Sequence, residues 1–170
     1  LRMDRFEYGT THAMPGAADW LAYREELSDD TERLASLAEI VGHIAWDSSY
    51  RPVYPFTSDV ADWSEPEFSR AVEAEDENTA VALVRGALAA GLSWEGLRPA
   101  FARCAMRHYA GFGHSVIYVS KVAPLLAALG ADALESLLLP LTRHLCTVTR
   151  EDLIPEFRAF HVVRKDWDNL

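Results

Sequence analysis

The most apolar stretch of the chain, Gly113 to Leu129, is interrupted by only two strongly titratable side chains, His114 and Lys121. They stand seven residues apart. At 100° per residue, seven steps return to within about 20° of the start, so on a helix both point the same way, two turns apart. Tyr118 lies between them on the same face. Such side chains can ligate a metal or hold a polar substrate. A lysine in an apolar helix is costly to bury as a cation. It therefore reaches water, is paired, is neutral or is chemically modified. Two readings follow. In one, Lys121 snorkels to the surface beside a satisfied core histidine. In the other, both side chains project into one polar pocket inside a helical bundle and share a metal or a substrate.

A second row, Glu39, His43 and Asp47, has the spacing i, i+4, i+8. A carboxylate one turn from a histidine can fix its ring tautomer, as the outer partners of metal ligands do. The same row is equally an ordinary solvated helix face. Tyr50, Tyr54 and Phe56 fall in a segment rich in proline and aromatics, from Ser48 to Ser64. Such a loop can wall an aromatic ligand or cap the core. His12 reads as an exposed loop histidine and His144 as a core or interface one. There is no P-loop, no GxGxxG followed by an acidic residue, no HExxH and no GxSxG. Gly111-Phe112-Gly113 precedes a helix, but no predicted strand precedes it, so a phosphate cradle is not expected.

The elements that must position these residues all read as helices. Periodicity and caps predict them over 17–27, 31–47, 65–77, 79–90, 93–111, 114–129 and 131–148. Gly91 and Gly130 are the stops. On 31–47 the core stripe is read as Leu34, Leu37, Ala38, Val41, Ile44 and Ala45. The 65–77 helix is acidic and reads as solvated. Pro124 removes the hydrogen bond to the Ser120 carbonyl. Residues 1–16 read as irregular, and the tail from 149 ends polar. With no strand-length alternation, the fold class is all-α: a bundle of about six or seven helices with a Pro/aromatic-rich loop, in a single domain over 1–170.

A hydrophobic content of 49% is that of a globular chain. A formal net charge of −10, with scattered basic residues, argues against nucleic acid and anionic membrane surfaces as partners. Cys104 and Cys146 stand alone, without CxxC spacing, which fits a reducing, cytoplasmic setting. Lys121, Pro124 and Pro140 break the apolar stretches short of the roughly 20 residues of a membrane span.

Three segments carry a resemblance. His108-Tyr109-Ala110-Gly111-Phe112-Gly113-His114-Ser115-Val116-Ile117-Tyr118-Val119-Ser120-Lys121 resembles the questin oxidase-like family. So do Leu37 to Asp47 and Thr147 to Phe157. The resemblance implies a helical oxygenase of polycyclic aromatic polyketide pathways, one that carries out Baeyer–Villiger-type oxidation or cleavage of anthraquinone rings. It implies non-haem iron held by His43, His114 and a carboxylated Lys121. Glu39 and Asp47 would stand behind the ligands. Tyr118 would position substrate or bound oxygen, and Tyr50, Tyr54 and Phe56 would line the substrate site. The partners implied are O2 and a small aromatic substrate. The match is to the C-terminal half of a full-length member, so the chain is expected to be part of a longer protein, or to be completed by a partner chain. Two alternatives stay open: a helical binding or structural module, or a fragment, without a complete site; and an NADPH- or flavin-dependent component, for which no fingerprint is present.

Overall fold

Asp29 opens the longest helix: its carboxylate accepts from the backbone N–H of Thr31 at 2.9 Å and of Glu32 at 3.0 Å, the N-cap arrangement. The computed structural model describes residues 5–6, 9–10, 12–50 and 55–167, with side chains for 12–47, 49 and 55–165. Among them eight α-helices follow in order. They are α1 (Ala13–Glu26), α2 (Asp30–Tyr50), α3 (Glu65–Glu73), α4 (Glu77–Ala89), α5 (Trp94–Arg107), α6 (His114–Leu129), α7 (Leu134–Thr147) and α8 (Ala159–Trp167). Short 3-10 turns precede α6 and α7, and two more lead into α8. A two-residue antiparallel pair, Arg5–Phe6 with Gly9–Thr10, is the exception to an all-α fold. The expected count of six or seven falls short because α8 lies in the segment read as a polar tail.

The core is built where α3 to α7 meet. Phe68, Phe101 and Trp94 stack in its centre, with ring centroids 4.8 and 5.7 Å apart for successive pairs. Leu137, Leu138 and Leu141 of α7 and Val81 and Val84 of α4 close around them. Each such side chain contributes roughly 1.5–3 kcal/mol by leaving water. The acidic helix read as solvated is therefore only half so: α3 buries Phe68, Ala71 and Val72. Gly91 ends α4 as expected, at φ +79, with its N–H bonded to Leu88 O and that of Leu92 to Ala87 O.

The expected core stripe of α2 is corrected. Leu34 and Val41 are 66% and 65% exposed, and Ala38 and Ala45 are exposed too. The inward residues are Ser36, Ile40 and Asp47, and of the expected stripe only Leu37 and Ile44 stay half-buried at its margin. The observed inner face lies roughly a quarter-turn around the helix from the expected one. The reason is tertiary: α2 packs along α1 at the edge of the bundle rather than across its centre. Its own sequence carries apolar residues on both sides.

The described part of the Pro/aromatic loop caps the core. Ala61 N–H bonds to Ala82 O at 3.0 Å, and Arg85 Nε–H to Thr57 O at 3.0 Å. Gly86 makes this approach possible, since a Cβ there would stand 1.7 Å from Ala61 O. Gly111–Leu129, at 19 residues, is long and apolar enough to cross a membrane by length and composition, although the sequence reading expected no such stretch. Its inner residues Tyr118, Val122 and Leu125 are fully buried, and the helix packs on α1, α5 and α7.

Candidate functional site

Three successive residues with left-handed backbone lead into α6: Gly111 at φ +56, Phe112 at φ +50 and Gly113 at φ +89. For Phe112 this conformation costs roughly 1–2 kcal/mol. Gly111 has a second constraint, because a Cβ there would meet Val148 Cγ2 at 2.7 Å. The turn is tied to the segment after α7. Gly111 N–H bonds to Thr149 O at 2.9 Å, Phe112 N–H to Glu151 Oε2 at 3.1 Å, and Asp152 N–H to Tyr109 O at 3.0 Å.

His114 follows as the first residue of α6, and its Nδ1–H donates to Gly111 O. The neutral ring is therefore protonated on Nδ1 and bare on Nε2. That Nε2 stands 3.2 Å from Nε2 of His12, with ring centroids 5.1 Å apart and planes at 75°. His12 is the N-cap residue of α1, and α1 packs against both α2 and α6. Although His12 is largely exposed, partial burial of its ring holds it below the ordinary histidine range, and the neighbouring charges of His114 and then His43 add to this.

The rest of the expected set divides. His43 is exposed on α2, close enough for its charge to reach His12. Lys121 is half-buried, and its Nζ donates to Asp19 of α1. Tyr118 is fully buried, with its ring 5.9 Å from that of His114 and 4.7 Å from that of His144. Glu39 is exposed, while Asp47 is buried on the inner face of α2. Tyr54 and the Tyr50 side chain lie outside the described residues. Phe56 has its contacts elsewhere: the Arg143 guanidinium sits 3.9 Å above its ring, and Arg143 in turn bonds Glu77 at 2.8 Å.

His144 is a core histidine, as expected, with 0% exposure. Its Nε2 is 2.9 Å from Ser115 Oγ, and its Nδ1 has no hydrogen-bond partner among the described residues. Burial above all, with the charge of His114, pushes its pKa down to about 3, so it is neutral at ordinary pH.

Sequence reasoning missed His12 as a partner of His114. The two are 102 residues apart, and no local spacing connects them. Among the described residues no group of three or more His, Cys, Asp or Glu side chains is arranged to hold a metal ion. The arrangement is a histidine pair with a third histidine nearby. Two imidazole nitrogens this close either share one N–H or direct two lone pairs at one cation. No family model matches the chain, and no curated protein or solved structure is similar to it.

Proposed function

We propose that His12 and His114 bind a divalent metal, and that the protein is a non-haem iron oxygenase acting on a polycyclic aromatic polyketide such as an anthraquinone, by Baeyer–Villiger-type oxidation or ring cleavage. The observation that carries the metal reading is the 3.2 Å between the two Nε2 atoms. Two metal–nitrogen bonds of about 2.1 Å, meeting at roughly 100°, put their nitrogens about 3.2 Å apart. The Nδ1–H of His114 on a backbone carbonyl also suits a ligand, because that bond fixes which nitrogen is bare. The oxygenase reading comes from the resemblance of the three quoted segments.

In this reading His12 and His114 hold the metal, with His43 the nearest candidate for a third ligand. Lys121 enters as a carbamate only by giving up its proton and its ion pair with Asp19. Tyr118 keeps the His114 ring in place from beneath. Bound iron would supply activation of O2. Imidazole ligands suit iron, with manganese or zinc as in-vitro substitutes.

A second reading is a helical binding or structural module without chemistry. The Lys121–Asp19 pair favours it, since it satisfies the lysine with no modification. Metal analysis separates the two. The oxygenase reading expects near-stoichiometric iron after anaerobic purification, lost in His114→Ala with helicity intact. It also expects O2 consumption on adding an anthraquinone. Full metal occupancy in His114→Ala, or none in the wild type, leaves the module.

A further inference from the structure

We propose that Glu151 is the positioning residue of the His12–His114 pair: its carboxylate holds the Gly111–Phe112–Gly113 turn in the conformation that turns the bare nitrogen of His114 toward His12. The inference rests on reading those two histidines as a metal-binding pair and extends it to the segment that controls their geometry.

Three observations meet at this carboxylate. Glu151 is 2% exposed, and a buried carboxylate needs donors to offset its lost hydration. Its near cation is engaged elsewhere, because Arg150 grips Asp152 with two hydrogen bonds of 2.8 and 2.7 Å. The donor that Glu151 takes is the N–H of Phe112, at 3.1 Å. Phe112 is also the residue of the turn that needs holding, a non-glycine at φ +50. A charge-assisted bond to the backbone of that residue supplies the restraint.

The consequence reaches the ring. Gly111 O, on the same turn, accepts the Nδ1–H of His114 and so fixes its tautomer. If the turn relaxes, that acceptor moves away. A free neutral imidazole side chain prefers its proton on Nε2, which would then aim a proton at His12 instead of a lone pair. Glu151 therefore controls whether Nε2 of His114 can serve as a ligand, without touching the ring. The 3-10 turn that carries it, Glu151–Leu153, is anchored by the bond from Asp152 N–H to Tyr109 O.

Glu151→Ala removes the acceptor, Glu151→Gln keeps a neutral one at the same reach, and Glu151→Asp withdraws the carboxylate by one methylene. Each is made in the full chain, and circular dichroism reports the fold. Nitrogen–proton correlation spectra of the His114 ring read the tautomer, and Co2+ titration followed by visible absorption reads the site. Wild type and Glu151→Gln are expected to show the Nδ1–H form and Co2+ affinities within about threefold of each other. Glu151→Ala is expected to shift His114 toward the Nε2–H form and to bind Co2+ roughly 10–100-fold more weakly, the usual effect of losing an outer partner. Glu151→Asp gives the same shift and serves if the alanine variant does not fold. An unchanged tautomer in both Glu151→Ala and Glu151→Asp overturns the proposal. The two readings fail separately. Co2+ binding that ignores His12→Ala and His114→Ala sinks the metal pair, while the tautomer still decides the role of Glu151.

Discussion

Two histidines flank the same turn, His108 at the end of α5 and His114 at the start of α6, and their surroundings are opposites. His108 lies between two acids. Its Nε2 is 2.9 Å from each Glu73 oxygen, and its Nδ1 makes an unaligned ion contact with Asp152 Oδ2 at 3.3 Å. Asp152, with a fully buried side chain, is gripped in turn by Arg150, whose hydrogen bonds hold its carboxyl below the usual range. His161 adds a bond to the Asp152 carbonyl at 3.0 Å. Arg107 pairs with Glu73 and Arg150 with Asp152, and these contacts tie α3 and α5 to the C-terminal segment. His114 faces another histidine instead, and among the described residues no carboxylate bonds to its ring. The same residue type thus serves as a structural tie at one end of the turn and faces a second imidazole at the other.

Breaking the tie should give the largest effect. Asp152→Ala takes away the buried carboxylate that Arg150 grips, leaving a half-buried guanidinium that water can reach, and is expected to cost about 2–3 kcal/mol in urea unfolding. His12→Ala, at an exposed position, should change stability by less than about 1 kcal/mol. Equal losses in the two would make both regions structural. Next in size, His114→Ala should weaken Co2+ binding by more than about 100-fold, beyond the range of an outer-partner loss. His108→Ala should leave Co2+ binding unchanged. If His108→Ala also abolishes binding, the contrast between the two histidines fails.

His144 has a folded pKa of about 3 against about 6.5 unfolded, so the unfolded state binds more protons between those values. Its contribution to stability is present above pH 6.5 and is lost as pH falls toward 3. Between pH 6.5 and 5 this amounts to about 2 kcal/mol. His144→Gln, which keeps a hydrogen-bonding group for Ser115, should lose that much less over the same interval. Parallel pH profiles would show that His144 is not the group being charged. The smallest effect belongs to Asp19→Asn. An ion pair with Asp19 at the surface is worth less than about 1 kcal/mol, so stability should barely move. Freeing Lys121 should raise metal occupancy if the lysine is a ligand and leave it unchanged if it is not.

What the sequence made legible follows from how local each signal is. The limits of α6 were readable to the residue, because Gly113 and Gly130 adopt the positive φ that ends helices and starts turns. The existence of α2 was readable from its period, but its phase was not. Leu34 and Val41 repeat as regularly as the residues that face α1, and only the packing of α1 decides between the two faces. α8 was hidden in a tail whose charged end masked a short helix. At the site, His114, Lys121 and Tyr118 were singled out by their spacing. Asp19, which engages Lys121, and His12, which faces His114, come from α1 and its cap, and no pattern within either segment announces such a meeting.

Because His12 was no part of the expected ligand set, His12→Ala is the sharpest test of the pair. Iron content and Co2+ absorbance should be measured side by side on wild type, His12→Ala and His114→Ala, all purified anaerobically, with circular dichroism as the control. Near-stoichiometric metal in the wild type that disappears in both variants, at unchanged helicity, is the expected result. A wild type that binds no metal, or a His12→Ala variant that retains it in full, would contradict the metal-site reading and leave the two rings as neighbours sharing a single proton.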